Sequence, residues 1–300
     1  MITKTNIKGF NHSIDNSTLN YPQCKCNNCP QMFFNLLLCA ARQCGKTYSL
    51  VKLLRHYEEN DLIDNDNVKH PIRTILISPT VEANPIFKSL KSLNFDEDVY
   101  ENYTEELLSD IMSEIKARKE ETEEFKEYIK AYKLLDKTDE KELPKLYETN
   151  PEIFKILERN NYATPNEIQQ PKYYETPVSF IILDDLLGTG GFNNKRNSKL
   201  INNVIKNRHN QVCFVIAIQA MKGLPKNIRN NCSIFYLGKF ASKKMILEDM
   251  YEEVSNVLTP EEFEELYNTA TEDQYGALVI DSTGKSKRFL KGWDVKLDKE

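Results

Sequence analysis

The stretch Ala40-Ala41-Arg42-Gln43-Cys44-Gly45-Lys46-Thr47 fits the phosphate-binding template G-x-x-x-x-G-K-[ST] at every defined position but the first, where Ala40 stands for glycine. The chemistry says which positions matter. Backbone N–H groups of the loop and of the helix start, residues 40–48 with Tyr48 at the end, can cradle phosphate oxygens. Lys46 is placed to neutralise the β- and γ-phosphates, Thr47 to offer its hydroxyl oxygen to magnesium, and Gly45 to let the backbone come close. A second Gly-Lys-Ser triplet, Gly284-Lys285-Ser286, lies between two strand-like runs instead of opening a helix, and reads as a hairpin turn.

A second constellation lies downstream. Phe180-Ile181-Ile182-Leu183-Asp184-Asp185 is an apolar run that delivers two acids at its end, the Walker B pattern, in which a buried parallel strand carries carboxylates to the edge where ligands bind. Asp184 is the candidate magnesium ligand beside Thr47. Asp185 is the candidate base for the attacking water, one methylene shorter than the usual Glu. The run Val215-Ile216-Ala217-Ile218 delivers Gln219 in the same way, suited to sensing a γ-phosphate. Two guanidinium groups could stabilise transition-state charge: Arg42 within the loop, and Arg229, within Pro225–Asn231, across a subunit boundary. The plain alternatives are that Asp184, Asp185 and Gln219 merely end strands and that Arg42 and Arg229 are solvated.

These residues need a sheet to align them, and the pattern supplies one. The run Met32–Ala40 predicts a buried strand, 47–58 a helix with Val51, Leu53, Leu54 and Tyr57 inward, and Thr74–Ser78 a second strand. Strand, helix, strand implies parallel pairing. Further strands are predicted at Val178–Asp185, Val212–Ile218, Ser233–Leu237 and Ala277–Asp281, the last turning through Ser282–Lys285 into Arg288–Leu290 as a hairpin. Helices are predicted near 197–208, 242–256 and 260–269. Between about 100 and 172 the chain becomes dense in Glu and Lys, with Ile111, Ile115, Phe125, Ile129 and Leu134 at helical intervals. That reads as a helical insertion with solvated charged faces, or less simply as a lever or partner surface. The expected organisation is an irregular segment 1–30 and a P-loop domain 31–295 carrying that insertion.

Composition narrows the class. The 300 residues, 40% hydrophobic and 28% charged, suffice for one substantial core. No apolar run reaches a membrane span and Met1–Asn20 has no secretory pattern, so an intracellular protein is expected. Seven cysteines, several within apolar runs, fit reduced thiols. Cys24, Cys26 and Cys29 offer zinc three thiolates, but no obvious fourth ligand unless His12 or Cys39 joins, and this reading leans against zinc. The net charge of −5 does not itself signal nucleic acid. Lys195, Arg196, Lys199 and Lys206, after the Gly188–Gly191 loop, could face DNA in a channel, though a solvated helix face is the simpler reading.

Taken in order, Leu36–Thr47, Phe180–Asp185, Arg208-His209-Asn210, and Ile218-Gln219 followed by Leu224-Pro225-Lys226-Asn227-Ile228-Arg229-Asn230 resemble the poxvirus-type genome-packaging ATPases. These belong to the FtsK/HerA superfamily and occur in large DNA viruses, virophages and polinton-like elements. The resemblance spans roughly 32–100 and 175–295. It implies an α/β fold with a RecA-like additional-strand P-loop core, a mainly parallel sheet and a C-terminal β-hairpin. It also implies ATP hydrolysis with magnesium that drives double-stranded DNA into a preformed capsid. Implied partners are a homo-oligomeric ring, pentamer or hexamer, and a capsid vertex protein, at the assembly site of an infected cell or on the virion. The loop Ala41–Thr47 is also similar to those of tailed-phage large terminases, but no second acidic cluster follows for a nuclease. A DNA helicase or conjugation-type DNA pump would share this nucleotide chemistry, and a non-hydrolysing nucleotide-binding scaffold would share the loop.

Overall fold

A computed structural model describes residues 20–26, 29–81, 84–186, 198–240 and, apart from 249, 253 and 256, residues 248–298. The Gly188–Gly191 loop, Lys195, Arg196 and His12 lie outside the described residues, as does part of the helix expected over 242–256.

Among the described residues the first element is a short strand β1 (Gln23–Cys24). Next come β2 (Asn35–Cys39), α1 (Lys46–Glu59), β3 (Leu62–Ile63), β4 (Lys69–His70), β5 (Ile72–Ile77) and β6 (Val99–Tyr100). The insertion follows as α2 (Glu105–Lys137), α3 (Leu143–Thr149) and α4 (Pro151–Glu158). Then come β7 (Val178–Asp184), α5 (Lys199–Ile205), α6 (Asn207–Asn210), β8 (Val212–Ile218), α7 (Lys226–Arg229) and β9 (Ile234–Gly238). Helix α8 (Pro260–Ala270) and strands β10 (Ala277–Asp281), β11 (Arg288–Lys291) and β12 (Val295–Lys296) complete it.

Among the described residues nine strands form one sheet in the order β12-β11-β10-β9-β2-β8-β7-β5-β6. From β9 to β6 every pairing is parallel, and β10, β11 and β12 add antiparallel strands beyond β9. The expected hairpin is β10 and β11, with Val279 opposite Leu290, and Gly284-Lys285-Ser286 lies in its turn. β8 sits between β2 and β7, so one strand separates the phosphate loop from the acid pair, the additional-strand arrangement.

The central strands are buried from end to end, as parallel strands covered on both faces must be. Alternation still sorts their side chains between faces. Leu36 and Leu38 pack with α1 residues Leu50, Leu53 and Tyr57, whereas Leu37 and Cys39 pack with α5 and α8 on the other side. This separates Cys39 from Cys29 and removes it as a partner for the N-terminal cysteines.

The insertion is helical, but its apolar stripe differs from the expected one. Leu108 and Ile111 join the main core, while Tyr128 and Ala131 pack against Leu157 of α4 in a satellite cluster. Leu134 is 42% exposed, because it lies off the face on which Tyr128, Ala131, Tyr132 and Leu135 meet that cluster. Lys116 and Glu120 pair at i,i+4 on an exposed surface, whereas Lys119 pairs with Glu123 and also donates to Gln211 Oε1 at 2.9 Å, tying α2 to the segment before β8. Where α2 meets the sheet, buried Arg73 of β5 donates from Nε and Nη2 to Asp98 at 3.0 and 2.6 Å, and from Nη2 to Glu114 of α2 at 3.1 Å. Among the described residues no helix is long and apolar enough to cross a membrane.

Candidate nucleotide site

Because β2, β8 and β7 are parallel neighbours, their carboxyl ends share one edge, and a cleft of about 480 Å³ opens there. Its lining includes Arg42, Gln43, Gly45, Lys46, Thr47, Tyr48, Asp184, Asp185 and Gln219, residues drawn from three separated stretches of sequence. The spacing of the phosphate loop sets its shape. Gln43 (φ 59°) and Gly45 (φ 77°) are both left-handed, and Gly45 caps α1 without any side-chain hydrogen bond to its first N–H groups. No acidic residue occupies the first turn of α1, so its positive end faces the cleft uncompensated. A side chain on Gly45 would be strained there and would lie 3.3 Å from the Tyr275 ring.

The departure at Ala40 has a structural counterpart. Ala40 is fully buried, and the neighbouring strand places Gly238 against its methyl group, where a Cβ on residue 238 would stand only 2.6 Å from that of Ala40. The room for the Ala40 methyl is thus left by the missing side chain of a glycine at the end of β9.

Lys46 donates from Nζ to the carbonyl of Ile218 at 3.0 Å. Burial depresses its ammonium, while the charges of Asp184 and Asp185 oppose that shift. Asp184, 5% exposed at the end of β7, is pushed above the usual carboxylate range by burial; Lys46 counteracts this, and Asp185 adds to it. Ser78, at the end of β5, donates to Asp184 Oδ2 at 3.3 Å, a contact sequence reading missed because nothing local marks that serine. The hydroxyl of Thr47 and the carboxylate of Asp184 line one cleft and offer oxygen donors of the kind magnesium prefers.

Asp185 leaves the strand with φ 54°, a left-handed residue, which turns its side chain towards the end of β8. There Gln219 Nε2 donates to Asp185 Oδ1 at 2.6 Å, and Gln219 Oε1 accepts from Arg42 Nε at 3.1 Å. One amide thus ties the loop arginine to the second acid. Thr80 and Asn84 complete the rim, neither marked by any motif. Arg229 does not line the cleft; it sits on α7 with a buried Nε that has no hydrogen-bond partner among the described residues. Lys199 and Lys206 are exposed at the two ends of α5.

Parallel strands in the order β2-β8-β7, a phosphate loop after β2 and paired acids after β7 define the class of this chain, a P-loop NTPase of the additional-strand type. Among solved structures it is similar to B204, the DNA-packaging ATPase of Sulfolobus turreted icosahedral virus. The TM-score is 0.42 at 10% identity, over 85% of this chain and 96% of that one. It is also similar to the genome-packaging NTPase B204 of Sulfolobus turreted icosahedral virus 2 in complex with ATP-γS (TM-score 0.41, 10% identity, 85% and 96% covered). A third likeness is to ATPases 2 and 3 of EssC from Geobacillus thermodenitrificans (TM-score 0.44, 15% identity, 89% of this chain and 40% of that one). No protein-family model matches the sequence, and no curated protein matches it.

Proposed function

We propose that this protein is a magnesium-dependent ATPase that uses hydrolysis to drive double-stranded DNA into a viral capsid, acting as a homo-oligomeric ring. The observation that carries the nucleotide part is the convergence of Lys46, Thr47, Asp184, Asp185 and Gln219 on one cleft. The DNA part rests on the ordered motif set from Leu36 to Asn230 and its resemblance to packaging ATPases.

In this reading the N-terminal N–H groups of α1 and the Lys46 ammonium bind the β- and γ-phosphates, Lys46 leaving the Ile218 carbonyl as it does so. Thr47 and Asp184 hold magnesium, which when bound neutralises charge on the phosphate oxygens. Asp185 accepts the proton of the water that attacks the γ-phosphorus, and ADP leaves as the opposite bond breaks. Gln219 orients Asp185 and couples it to Arg42, so that the loop that grips phosphate also positions the base. Arg42 stabilises the spreading charge in cis, and Arg229, outside its own chain's cleft, serves a neighbouring subunit. The exposed Tyr48 ring at the cleft mouth lies against the nucleotide's base or ribose.

The test is magnesium-dependent ATP turnover by the wild type, Lys46→Ala and Asp185→Asn, each with and without linear double-stranded DNA. Turnover that DNA stimulates and both substitutions abolish supports the motor. Binding of ATP without turnover in any condition overturns it in favour of a scaffold, and stimulation by single-stranded DNA alone favours a helicase.

A further inference from the structure

A second constellation of side chains lies away from the nucleotide cleft. The thiols of Cys24 and Cys29 and a ring nitrogen of His56 lie within 4.8 Å of one another, and Cys26 is tied to this group by its N–H, which donates to Cys24 Sγ. Cys24 ends β1, Cys26 and Cys29 follow in the next turn, and His56 comes from the last turns of α1, 27 residues beyond Cys29.

We infer that Cys24, Cys26, Cys29 and His56 form a structural zinc site that fastens the N-terminal segment to the helix carrying the phosphate loop. The ligand set is three thiolates and one imidazole, all from protein, a combination that closes a tetrahedral site and leaves no position for substrate. The backbone around the thiols has the form such a site requires. The N–H of Cys26 donates to Cys24 Sγ at 3.5 Å, which would stabilise a metal-bound thiolate, and the N–H of Cys29 closes the turn on the Cys26 carbonyl at 3.2 Å.

The turn is held from outside as well. β1 pairs with β3, the N–H of Lys25 donates to Asp61, and Tyr57 of α1 donates to the carbonyl of Pro30 at 3.1 Å. Arg288 Nη2 donates to the carbonyl of Cys29 at 3.2 Å. On the helix side Asn60 donates to the His56 carbonyl at 2.8 Å and holds its amide 3.5 Å from the imidazole.

The cysteines inside the sheet do not compete, since Cys39 and Cys213 are buried within β2 and β8.

The experiment uses the full chain without a metal-affinity tag, expressed with added zinc and exhaustively dialysed, its metal content read by mass spectrometry. About one zinc per chain is expected, released by a thiol-modifying reagent. Cobalt taken up in its place should give the absorption of a tetrahedral three-thiolate site. His56→Ala and Cys29→Ser should each weaken zinc at least about tenfold in chelator competition. His56→Cys should keep the stoichiometry and shift the cobalt spectrum to that of four thiolates, which separates lost ligation from lost folding. Cys213→Ser should retain the metal. A wild-type chain that binds neither zinc nor cobalt overturns the site, as does zinc retained undiminished in both His56→Ala and Cys29→Ser. A Cys24–Cys29 disulfide as the sole product would also overturn it.

Discussion

The replacement of the first loop glycine by Ala40 can be tested through its partner, Gly238. Adding a methyl group at Gly238 places two carbons 2.6 Å apart, whereas nonbonded carbons rest at about 3.5–4.0 Å. Neither side can yield freely. Ala40 is fully buried, its N–H donates to Ile218 at 3.3 Å, and the next N–H donates to Lys239 at 3.1 Å. Relief of about 1 Å must therefore come from separating β2 and β9 at the mouth of the loop. Overpacking of this kind costs about 1–3 kcal/mol. At about 2–4 °C per kcal/mol for a chain approaching this length, Gly238→Ala should lower Tm by roughly 2–12 °C. Nucleotide affinity should fall with it. Ala40→Gly removes the offending methyl, so the double variant Ala40→Gly/Gly238→Ala should be no less stable than Ala40→Gly alone, a coupling of about 1 kcal/mol or more. Thermal unfolding and titration with a fluorescent ATP analogue read both effects. Without the clash, Gly238→Ala would be neutral or stabilising by about 0.4–1 kcal/mol through the unfolded chain; that result, or strict additivity in the cycle, would refute the reasoning.

Other outcomes follow from the same geometry. Asp185→Asn should keep ATP binding and lower turnover by at least about 10²-fold, since a proton acceptor is removed while the Gln219 contact can be re-formed; single-turnover assays separate the two effects. Gln219→Ala should reduce turnover with little change in ATP affinity, because it frees both Arg42 and Asp185; a change confined to affinity would count against the coupling. Arg229→Ala subunits mixed with Lys46→Ala subunits should recover part of the ATPase activity lost in each alone if Arg229 acts across a boundary, and none if it acts within its own chain. Arg73→Met should destabilise the fold by about 3–5 kcal/mol in urea unfolding, since buried Asp98 would lose its cation. Burial pushes the Glu114 carboxyl up, but hydrogen bonds from Arg118 and Arg73 outweigh it and hold it below its ordinary range. Its contribution to stability should therefore be present above the unfolded carboxyl range and fade as pH falls through the lower folded value, a loss that Glu114→Gln removes from the pH profile.

The sequence alone determined the local chemistry and the strands that deliver it. Lys46 and Thr47 open a helix after a buried run, and Asp184, Asp185 and Gln219 end apolar runs; these are properties of neighbouring residues and of short periodicities, which survive without knowledge of what packs where. The boundaries shifted a little, β2 beginning at Asn35 instead of Met32, because only the paired part of an apolar run becomes strand. What tertiary structure decided are meetings between residues far apart in the chain. The insertion of β8 between β2 and β7 is a choice of neighbours that no strand's own residues encode, and it brings Arg42, Gln219 and Asp185 into one chain of hydrogen bonds. Gly238 shows as the explanation for Ala40 only when β9 lies beside β2. Of the partners sought for the N-terminal cysteines, His12 lies outside the described residues; His56 lies within 4.8 Å of Cys24 and Cys29, because pairing of β1 with β3 brings the cysteines onto α1 while the pleat sends Cys39 to the opposite face of the sheet.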